Sequence, residues 1–470
     1  MIPIVRTELG SPPPAGAGNC HLSLALISDV QVLDTVSPAR CEWVAQLASD
    51  PAWAPLQPMH RPYEALTHWA LAAHVNHLRN HPNGPWSQRP FDLALSLGDN
   101  IDNAQHNELA TFLAIVAGGR TRMSAYGGVQ DASDALGPGP WPYWCPDPAV
   151  PDTWKTRGYP AIPDYLARAS AKLVSEGLGF AWSSVAGNHD WMRQGTALPG
   201  PQIEAIARGS AKTLCRPAGL DPANPLGFFV DQPAAFSRGN TRQVPALTSR
   251  SAVSLQQWIA AHVAHGAAGY TPDHVHRASA DAVIDTEHVR IVLLDTNHPA
   301  GDYQGSVADS QLQWLESQLA EVDADSGRIA LLASHHGPDS LTNTRGNDAS
   351  RRHADAVTAV LHRHPCLVAW LVGHRHLHRI TPHPGKHGGF WEIGTASLID
   401  WPSQARAVEC LQHANGQIEI VCTLLDHHAS PGTLAHHHLA LARLFAGEHA
   451  DAMQGTPADG NVRLMRGARR

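Results

Sequence analysis

The chain has 470 residues, of which 43% are hydrophobic and 16% are charged, with a formal net charge of −8 at pH 7. A chain of this size can bury a sizeable core, and its composition is not that of a disordered protein or a coiled coil. The basic residues form no run of five, so we do not expect binding to polymeric nucleic acid. The short basic segment 463–470 is interpreted as a solvated end.

The apolar runs are all far shorter than the roughly 20 residues that span a bilayer, so no membrane association is expected. The N-terminus lacks a basic segment followed by a long apolar one, which predicts no signal peptide and a cytoplasmic protein, although export of a longer precursor stays open. The seven cysteines form no CxxC pair, which argues against thiolate zinc sites. Reduced thiols are the simplest interpretation, and a Cys410–Cys422 disulfide is the alternative.

Short apolar runs that end in polar residues predict strands buried on both faces. In chain order they are LSLALISD (22–29), DLALSLGD (92–99), AWSSVAGNHD (181–190), RIVLLDT (290–296), RIALLASH (328–335) and LVAWLVGH (367–374). Helical patterns at 64–78 and 309–322 lie between them, and this alternation predicts an α/β fold. After residue 390, FWEIGTA, ARAVECLQ and QIEIVCTLL predict strands of a second sheet, with a hairpin turn at Asn415-Gly416.

We predict a single domain over residues 1–470, with a core from about 22 to 425 and two long insertions at 117–165 and 195–282. Loops of this length in a compact protein are usually lids or embellishments, so we expect the insertions to supply the walls of a ligand pocket. Within the first insertion, the motif WPYW (141–144) favours a packing role over a substrate platform.

Five loops that follow predicted strands carry candidate metal ligands, and ligands bind at the carboxyl ends of strands in open α/β sheets. The loops are SDVQ (28–31), GDNIDN (98–103), GNHD (187–190), SHHG (334–337) and GHRH (373–376). Carboxylate, imidazole and amide groups on one face suit divalent metals such as Mn, Fe, Co or Zn. Two such ions about 3.5–4 Å apart can clamp a phosphoryl group and activate a bridging water.

This ordered set resembles the calcineurin-like metallophosphoesterases, whose pattern is DxH, GDxxD, GNH[DE], a histidine after a strand, and GHxH. The matching stretches here are DVQ, GDNID, GNHD, SHH and GHRH, and the likeness extends from about 22 to 425 apart from the two insertions. The flanking stretches LLDTNHPAGDYQGSVADSQLQWLESQL and GFWEIGTASLIDWPSQAR also look like a bacterial branch of this superfamily. The resemblance implies a four-layer αββα sandwich of two mixed sheets with helices outside.

The resemblance also implies seven metal ligands, which are Asp29, Gln31, Asp99, Asn188, His335, His374 and His376. Asp99 would bridge two ions. Asp29, Gln31 and His376 would complete the first metal position, and the other three residues would complete the second.

Two further residues receive catalytic roles from the resemblance. A metal-bridging hydroxide would attack phosphorus, His189 would protonate the leaving-group oxygen, and Asp190 would orient the His189 ring. The chemistry is reasonable, because a histidine has an unperturbed pKa near 6.5 and can act as a general acid.

Gln31 departs from the family pattern, which has histidine at this position. A glutamine amide oxygen is a weaker donor and favours harder ions such as Mn or Fe over Zn. Direct binding, binding through water and a structural role all stay open, and Asp34 lies too far along the chain to be an obvious substitute.

Other polar residues near these loops are expected to have different roles. Asp102 is expected to brace its loop, His335 is preferred to His336 as the ligand, and His378 is expected to bind no metal. The histidine clusters at 262–265, 273–276, 426–428 and 436–438 are interpreted as surface or core residues.

The sequence therefore predicts a binuclear metal-dependent hydrolase of small phosphomonoesters or phosphodiesters. The alternatives are a cyclic-nucleotide phosphodiesterase or nucleotide pyrophosphatase of the same fold, or a non-catalytic metal-binding module with a degenerate first metal position. Oligomeric state stays open.

Overall fold

The computed structural model describes residues 3–133 and 140–469. Its strands, in chain order, are β1 (Ile4–Leu9), β2 (Asn19–Ile27), β3 (Leu93–Ser96), β4 (Gly119–Thr121), β5 (Leu173–Ser175), β6 (Trp182–Ser184), β7 (Ala211–Thr213), β8 (Thr241–Gln243), β9 (Ala282–Asp285), β10 (Val289–Leu294), β11 (Val307–Ala308), β12 (Ile329–Ser334), β13 (Arg351–Arg352), β14 (Leu367–Val372), β15 (Arg379–His383), β16 (Phe390–Gly394), β17 (Ala405–Gln412), β18 (Ile418–Leu425) and β19 (Val462–Arg466).

The α-helices are α1 (Thr67–Asn80), α2 (His106–Val116), α3 (Tyr165–Ala169), α4 (Asn188–Trp191), α5 (Pro201–Arg208), α6 (Pro225–Asp231), α7 (Leu255–Ala264), α8 (Pro272–Arg277), α9 (Asp309–Asp323), α10 (Ala354–Leu361), α11 (Leu434–Ala446) and α12 (Ala450–Met453). Short 3-10 segments lie at Glu42–Leu47, Pro51–Met59, Glu64–Leu66, Lys155–Arg157, Pro233–Ser237, Thr248–Arg250, Arg345–Asn347, Gly447–His449 and Pro457–Asp459.

Two mixed sheets form the centre of the molecule. The larger sheet has the strand order β1-β19-β18-β17-β2-β3-β6, and the smaller has β15-β16-β14-β12-β10-β9. In the larger sheet β2, β3 and β6 are parallel neighbours. In the smaller sheet β10, β12, β14 and β16 are parallel, and antiparallel β9 and β15 close its edges. The carboxyl ends of the parallel strands are the expected place for a ligand.

The sheets pack face to face between helices. Alternate residues of β10 separate the two faces of the smaller sheet, since Ile291 lies in a core shared with β2 and β3 of the larger sheet, whereas Val292 packs with Leu315 of α9. Phe112 of α2 and Leu71 of α1 also belong to the shared core, and they cover the larger sheet. The predicted α/β class with two mixed sheets in an αββα arrangement is confirmed.

The strands after residue 390 divide between the two sheets, so their assignment to one second sheet is wrong. β16 pairs with β14 in the smaller sheet, whereas β17 pairs with β2 in the larger. A run that is apolar on both faces fits either sheet, and sequence alone does not choose between them. The predicted hairpin at Asn415-Gly416 does join β17 to β18.

Both chain ends extend the larger sheet, so the predicted core bounds of 22–425 are too narrow for it. β1 lies parallel to β19, and β19 pairs with β18. The interpretation of 463–470 as a solvated end is therefore wrong for residues 463–466. Arg466 is buried, and its Nη2 donates to the carbonyl of Pro365 at 2.6 Å, which satisfies the charge inside the fold.

The two insertions pack onto the core as ordered cover. In WPYW, Trp141, Tyr143 and Trp144 are buried, which agrees with the predicted packing role. Part of 195–282 packs beneath segment 41–59, where Phe236 stacks on Trp43 with ring centroids 5.7 Å apart.

All seven cysteines are free thiols, as in the simplest interpretation. Cys410 lies opposite Ile420, and Cys422 opposite Val408, so the two thiols are out of register. Within residues 3–133 and 140–469, no helix is long and apolar enough to cross a membrane.

Candidate metal centre

Five of the seven candidate ligands have left-handed backbone conformations. Their φ angles lie between 46° and 67°, and they are Asp29, Gln31, Asp99, His374 and His376. Non-glycine residues rarely adopt this region, and such strain concentrates at functional sites. The tight turns aim consecutive side chains from β2, β3 and β14 toward one point at the strand ends.

The second metal position is built around one ring nitrogen of His335. Nε2 of His335 lies 3.0 Å from Oδ1 of Asn188 and 3.3 Å from Nδ1 of His374. The same nitrogen lies 3.3 Å from Oδ2 of Asp99. The other nitrogen, Nδ1, donates to the carbonyl of Leu97 at 2.8 Å, which leaves the lone pair of Nε2 directed at this group. Four donor atoms therefore converge from four different loops.

The first metal position contains Asp29 and His376. Nε2 of His376 lies 3.2 Å from Oδ1 of Asp29. That oxygen is buried, and the ion pair with the protonated His376 ring is the contact that balances its charge. The backbone N–H of His374 donates to the other oxygen of Asp29 at 3.1 Å, which ties the GHRH loop to the end of β2.

Gln31 lies beside this group, but its amide oxygen is directed away from it. Nε2 of Gln31 donates to Oδ2 of Asp99 at 3.5 Å, and Oε1 accepts from Nη1 of Arg61 at 3.4 Å. Direct ligation would require the amide to turn over and lose the Arg61 contact. Metal binding by Gln31 stays a prediction.

The electrostatics of both positions favour positive charge. Burial alone would raise the pKa of Asp99, but the adjacent His335 and His189 hold it well below its usual value. Burial alone would lower the pKa of His335, yet Asp99 raises it to about 9. His376 behaves alike, since Asp29 raises its pKa to about 10 against the effect of burial. A field that holds a proton on imidazole also attracts a divalent cation.

These residues fit divalent metal ions on two grounds: the donor set is carboxylate, imidazole and amide oxygen, and Asp99 lies between His335 and Gln31. Two clusters of three or more potential ligands with atoms within 4.8 Å of one another occur among the described residues, and both are here. The clusters are Asp29 with Asp99 and His335, and His335 with His336 and His374.

His189 is oriented by Asp102, so the role predicted for Asp190 is wrong. Nδ1 of His189 lies 3.1 Å from both Oδ1 and the carbonyl oxygen of Asp102. Nε2 of His189 is thereby left facing the metal positions, 3.8 Å from Oδ2 of Asp99. Burial would lower the pKa of His189, but Asp99 and Asp102 raise it, so the ring favours the protonated form that a general acid requires.

Asp190 instead joins two strand-end loops. Its carboxylate accepts from the backbone N–H of Gly187 at 2.8 Å and from that of Asn100 at 3.2 Å. Burial, together with Asp99, raises the pKa of Asp190 to about 7. A side chain adjacent to His189 in sequence points the other way, because the GNHD segment begins a helical turn that separates neighbours by about 100°.

The other polar residues considered as ligands, His336, His378 and Asp34, contact other groups of the protein. Both ring nitrogens of His336 have other partners, since Nδ1 lies 2.9 Å from Thr296 Oγ1 and Nε2 lies 3.0 Å from the carbonyl of Tyr303. His335 is therefore the better candidate ligand. Nδ1 of His378 lies 2.9 Å from Nη2 of Arg406, away from the centre. Asp34 pairs with Arg250 at 2.7 Å.

Sequence reasoning missed a buried cluster behind His376. Nδ1 of His376 donates to Oδ2 of Asp400 at 2.7 Å. Asp400 accepts two hydrogen bonds from the guanidinium of Arg61, at 2.6 and 2.8 Å, and one from the hydroxyl of Tyr63 at 2.8 Å. The signal in the sequence was weak: Asp400 directly follows the apolar residues Leu398 and Ile399.

The centre forms the floor of a cavity of about 360 Å³. Its described lining includes Ala54, Pro55, Pro58, Met59 and Arg61 on one wall. Thr196 is the lining residue from 195–282, and none of those described comes from 117–165. The expectation that the insertions supply the walls is therefore wrong, because the proline-rich 3-10 segment Pro51–Met59 takes that place.

Comparison with known proteins gives limited matches. No family model matches the chain. A curated protein of Rhodococcus erythropolis, described as a probable cyclic nucleotide phosphodiesterase, is 45% identical over 58 residues, which cover 12% of this chain and 18% of that protein. A crystal structure of a dimetal phosphatase from Danio rerio aligns with 87% of this chain and 97% of its own, at 14% identity and a TM-score of 0.42.

Proposed function

We propose that this chain is a divalent-metal-dependent hydrolase of small phosphoesters that uses two metal ions. The observation that carries the proposal is the convergence of Asn188, His374 and Asp99 on Nε2 of His335, all within 3.3 Å, at the floor of a cavity. Structural metal sites are closed, whereas this one opens into a cavity with a histidine at its edge, as hydrolysis requires.

Two bound ions would polarise phosphoryl oxygens and lower the pKa of water. The protein's own residues would do the rest. Asp99 lies between both positions and would fix their separation. His189, with Nδ1 held by Asp102, presents Nε2 toward Asp99 and would deliver a proton to the departing oxygen of the ester. Mn or Fe suits the oxygen-rich first metal position, and Zn or Co the second.

The cavity lining supports an anionic substrate with an apolar portion. Arg375 provides positive charge, while Pro55, Pro58 and Met59 form an apolar wall. At about 360 Å³ the cavity suits a small molecule and not a folded macromolecule. Both monoesters and diesters fit this description.

Two alternatives remain within the proposal. The local similarity to a probable cyclic nucleotide phosphodiesterase favours a cyclic-nucleotide or nucleotide pyrophosphate substrate of the same centre. The contact of Arg61 with Gln31 favours a second alternative, a non-catalytic module with a degenerate first metal position. The oriented His189 argues against that module, since a protein that only holds metal has no need of a fixed acid.

The test combines metal content with hydrolysis. Protein purified without chelator is analysed for ions per chain, and then assayed with bis-(p-nitrophenyl) phosphate and p-nitrophenyl phosphate with added Mn. Two ions per chain with turnover of either ester supports the proposal. One ion per chain with no turnover of either ester, even with Mn in excess, contradicts it and favours the non-catalytic module.

A further inference from the structure

A buried line of alternating charges runs from the second insertion to His189. Nζ of Lys212, on β7, donates to both carboxylate oxygens of Glu42 at 2.8 and 3.0 Å. Glu42 accepts from Nε of Arg40 at 3.2 Å, and Nη1 of Arg40 donates to Oδ2 of Asp102. The other oxygen of Asp102 lies 3.1 Å from Nδ1 of His189. Five side chains thus alternate from cation to anion.

The buried charged side chains of this line constrain one another's positions. Lys212 and Glu42 have no exposed surface, and Arg40 is 1% exposed. Removing one partner of a buried ion pair leaves an uncompensated charge in a medium that solvates it poorly, so each charge holds the next in place. His189, at the end of the line, is the member whose position matters for proton delivery.

Arg40 also contacts the wall of the cavity. Its Nη2 donates to the carbonyl of Met59 at 3.2 Å and pairs with Oε1 of Glu64 at 2.8 Å. Glu64 in turn accepts from the backbone N–H of Arg61 at 2.7 Å. The guanidinium of Arg40 therefore contacts both Asp102, which orients His189, and the 51–61 segment, which lines the cavity.

We propose that Arg40 is a positioning residue that fixes His189 through Asp102, and that Lys212 gives the 195–282 insertion a part in this task. The proposal rests on the proposed function and deepens it. Arginine suits this place because Nε, Nη2 and Nη1 of one planar group face Glu42, Glu64 and Asp102 respectively, whereas all three donors of lysine leave from one nitrogen. The insertion contributes little to the cavity lining, and its part in catalysis is to hold Glu42 through Lys212.

The test uses Arg40→Lys, which keeps the buried positive charge and so protects folding. Phenyl phosphate and p-nitrophenyl phosphate are compared, because only the phenyl ester has a leaving group that depends strongly on protonation. We expect kcat on the phenyl ester to fall at least about tenfold, and kcat on the p-nitrophenyl ester to fall less than about threefold, with little change in KM. In a His189→Ala background, Arg40→Lys should cause no further loss on either ester.

The matched control is Arg250→Lys, which makes the same change at a buried arginine of the 195–282 insertion; the described contacts of its partner carboxylate, Asp34, do not include His189. This control should lower both rates equally or not at all. Equal losses on both esters for Arg40→Lys, or a full additional loss in the His189→Ala background, would overturn the proposal. A wild-type protein inactive on both of these monoesters and on bis-(p-nitrophenyl) phosphate would instead count against the proposed function.

A spectroscopic measurement decides the positioning role without activity. In protein with ¹⁵N-labelled histidine, the His189 signals are identified by their loss in His189→Ala. The wild-type ring should keep hydrogen on Nδ1 in both its protonated and its neutral form, because Asp102 accepts there, and Arg40→Lys should shift or broaden these signals. Unchanged His189 signals in Arg40→Lys would refute the role, whatever the rates.

Discussion

Nδ1 of His376 lies 2.7 Å from Oδ2 of Asp400, and this contact fixes which nitrogen of the ring faces Asp29. Asp400 is itself held by two hydrogen bonds from Arg61 and one from Tyr63. A carboxylate behind a candidate ligand orients the ring and raises its basicity, and such partners tune metal affinity.

Replacing Asp400 with asparagine should weaken the first metal position selectively. The amide has one acceptor oxygen where the carboxylate has two, so the support of His376 is lost while Asn188, His335 and His374 are untouched. We expect metal affinity at one position to fall by about 10–100-fold. Titration of chelator-treated protein with Mn, followed by calorimetry, should resolve a weakened step beside an unchanged one.

The control for this experiment is Asp285→Asn. Asp285 also accepts two hydrogen bonds from one arginine, Arg290, at 2.9 and 3.0 Å, but it lies at the far end of the smaller sheet. Both binding steps should be unchanged in this control. Two equally weakened steps in Asp400→Asn would contradict a separate role for the first metal position.

Asp99 and Asp29 should differ in the number of ions that their loss releases. Oδ2 of Asp99 lies 3.3 Å from Nε2 of His335 and 3.5 Å from Nε2 of Gln31, between the two positions. We therefore expect Asp99→Ala to lose both ions and Asp29→Ala to lose one, as counted by elemental analysis after gel filtration. Retention of two ions by Asp99→Ala would remove Asp99 from its bridging role.

Much of this centre could be predicted because strand ends carry a local signal. A buried run such as RIALLAS has only polar residues to offer where it emerges, and parallel strands bring those residues to one edge. The placement of Asp29 beside Asp99, after β2 and β3, follows from this rule, and so does that of His335 beside His374, after β12 and β14. The convergence of loops from two different sheets does not follow from it, and that part of the prediction rested on the resemblance to a known family pattern.

The support behind the ligands could not be predicted in the same way. Arg40 and Arg61 come from a segment of short 3-10 turns with no periodic pattern. The carboxylates that they hold at the centre, Asp102 and Asp400, lie more than 60 residues away in sequence. Asp102 and Asp190 are both acidic and both close to candidate ligands in sequence. Only the backbone geometry of the two turns decides that Asp102 faces His189.

His189 and Asp190 should therefore respond differently to substitution. His189→Ala should reduce kcat by about 10²–10⁴-fold on esters with poor leaving groups, with metal content near that of the wild type. Asp190→Asn should lower stability, because Asp190 joins the loops of Gly187 and Asn100, but should affect activated and unactivated esters alike. Rates on phenyl and p-nitrophenyl phosphate, with thermal melts of each variant, check both. A leaving-group-dependent loss in Asp190→Asn would restore its original role.

Acid should destabilise the fold through buried neutral histidines, and His438 of α11 is the clearest case. Its ring is fully buried, with its centroid 5.1 Å from that of Tyr63, and burial together with His427 lowers its pKa to about 3. A depressed folded-state pKa means that the contribution to stability is complete above the unfolded value of 6.5 and is lost progressively as pH falls toward 3.

At pH 5 this linkage costs about 2 kcal/mol for His438, and phenylalanine, which keeps a ring but takes no proton, should abolish that cost. Guanidinium unfolding of chelator-treated protein at pH 7.5 and pH 5.0 measures it. The loss of unfolding free energy between the two pH values should be about 2 kcal/mol smaller in His438→Phe than in the wild type. His436→Phe, which changes a partly exposed ring of the same helix, is the control. An equal loss in His438→Phe and the wild type would show that this ring is not the acid-sensitive group.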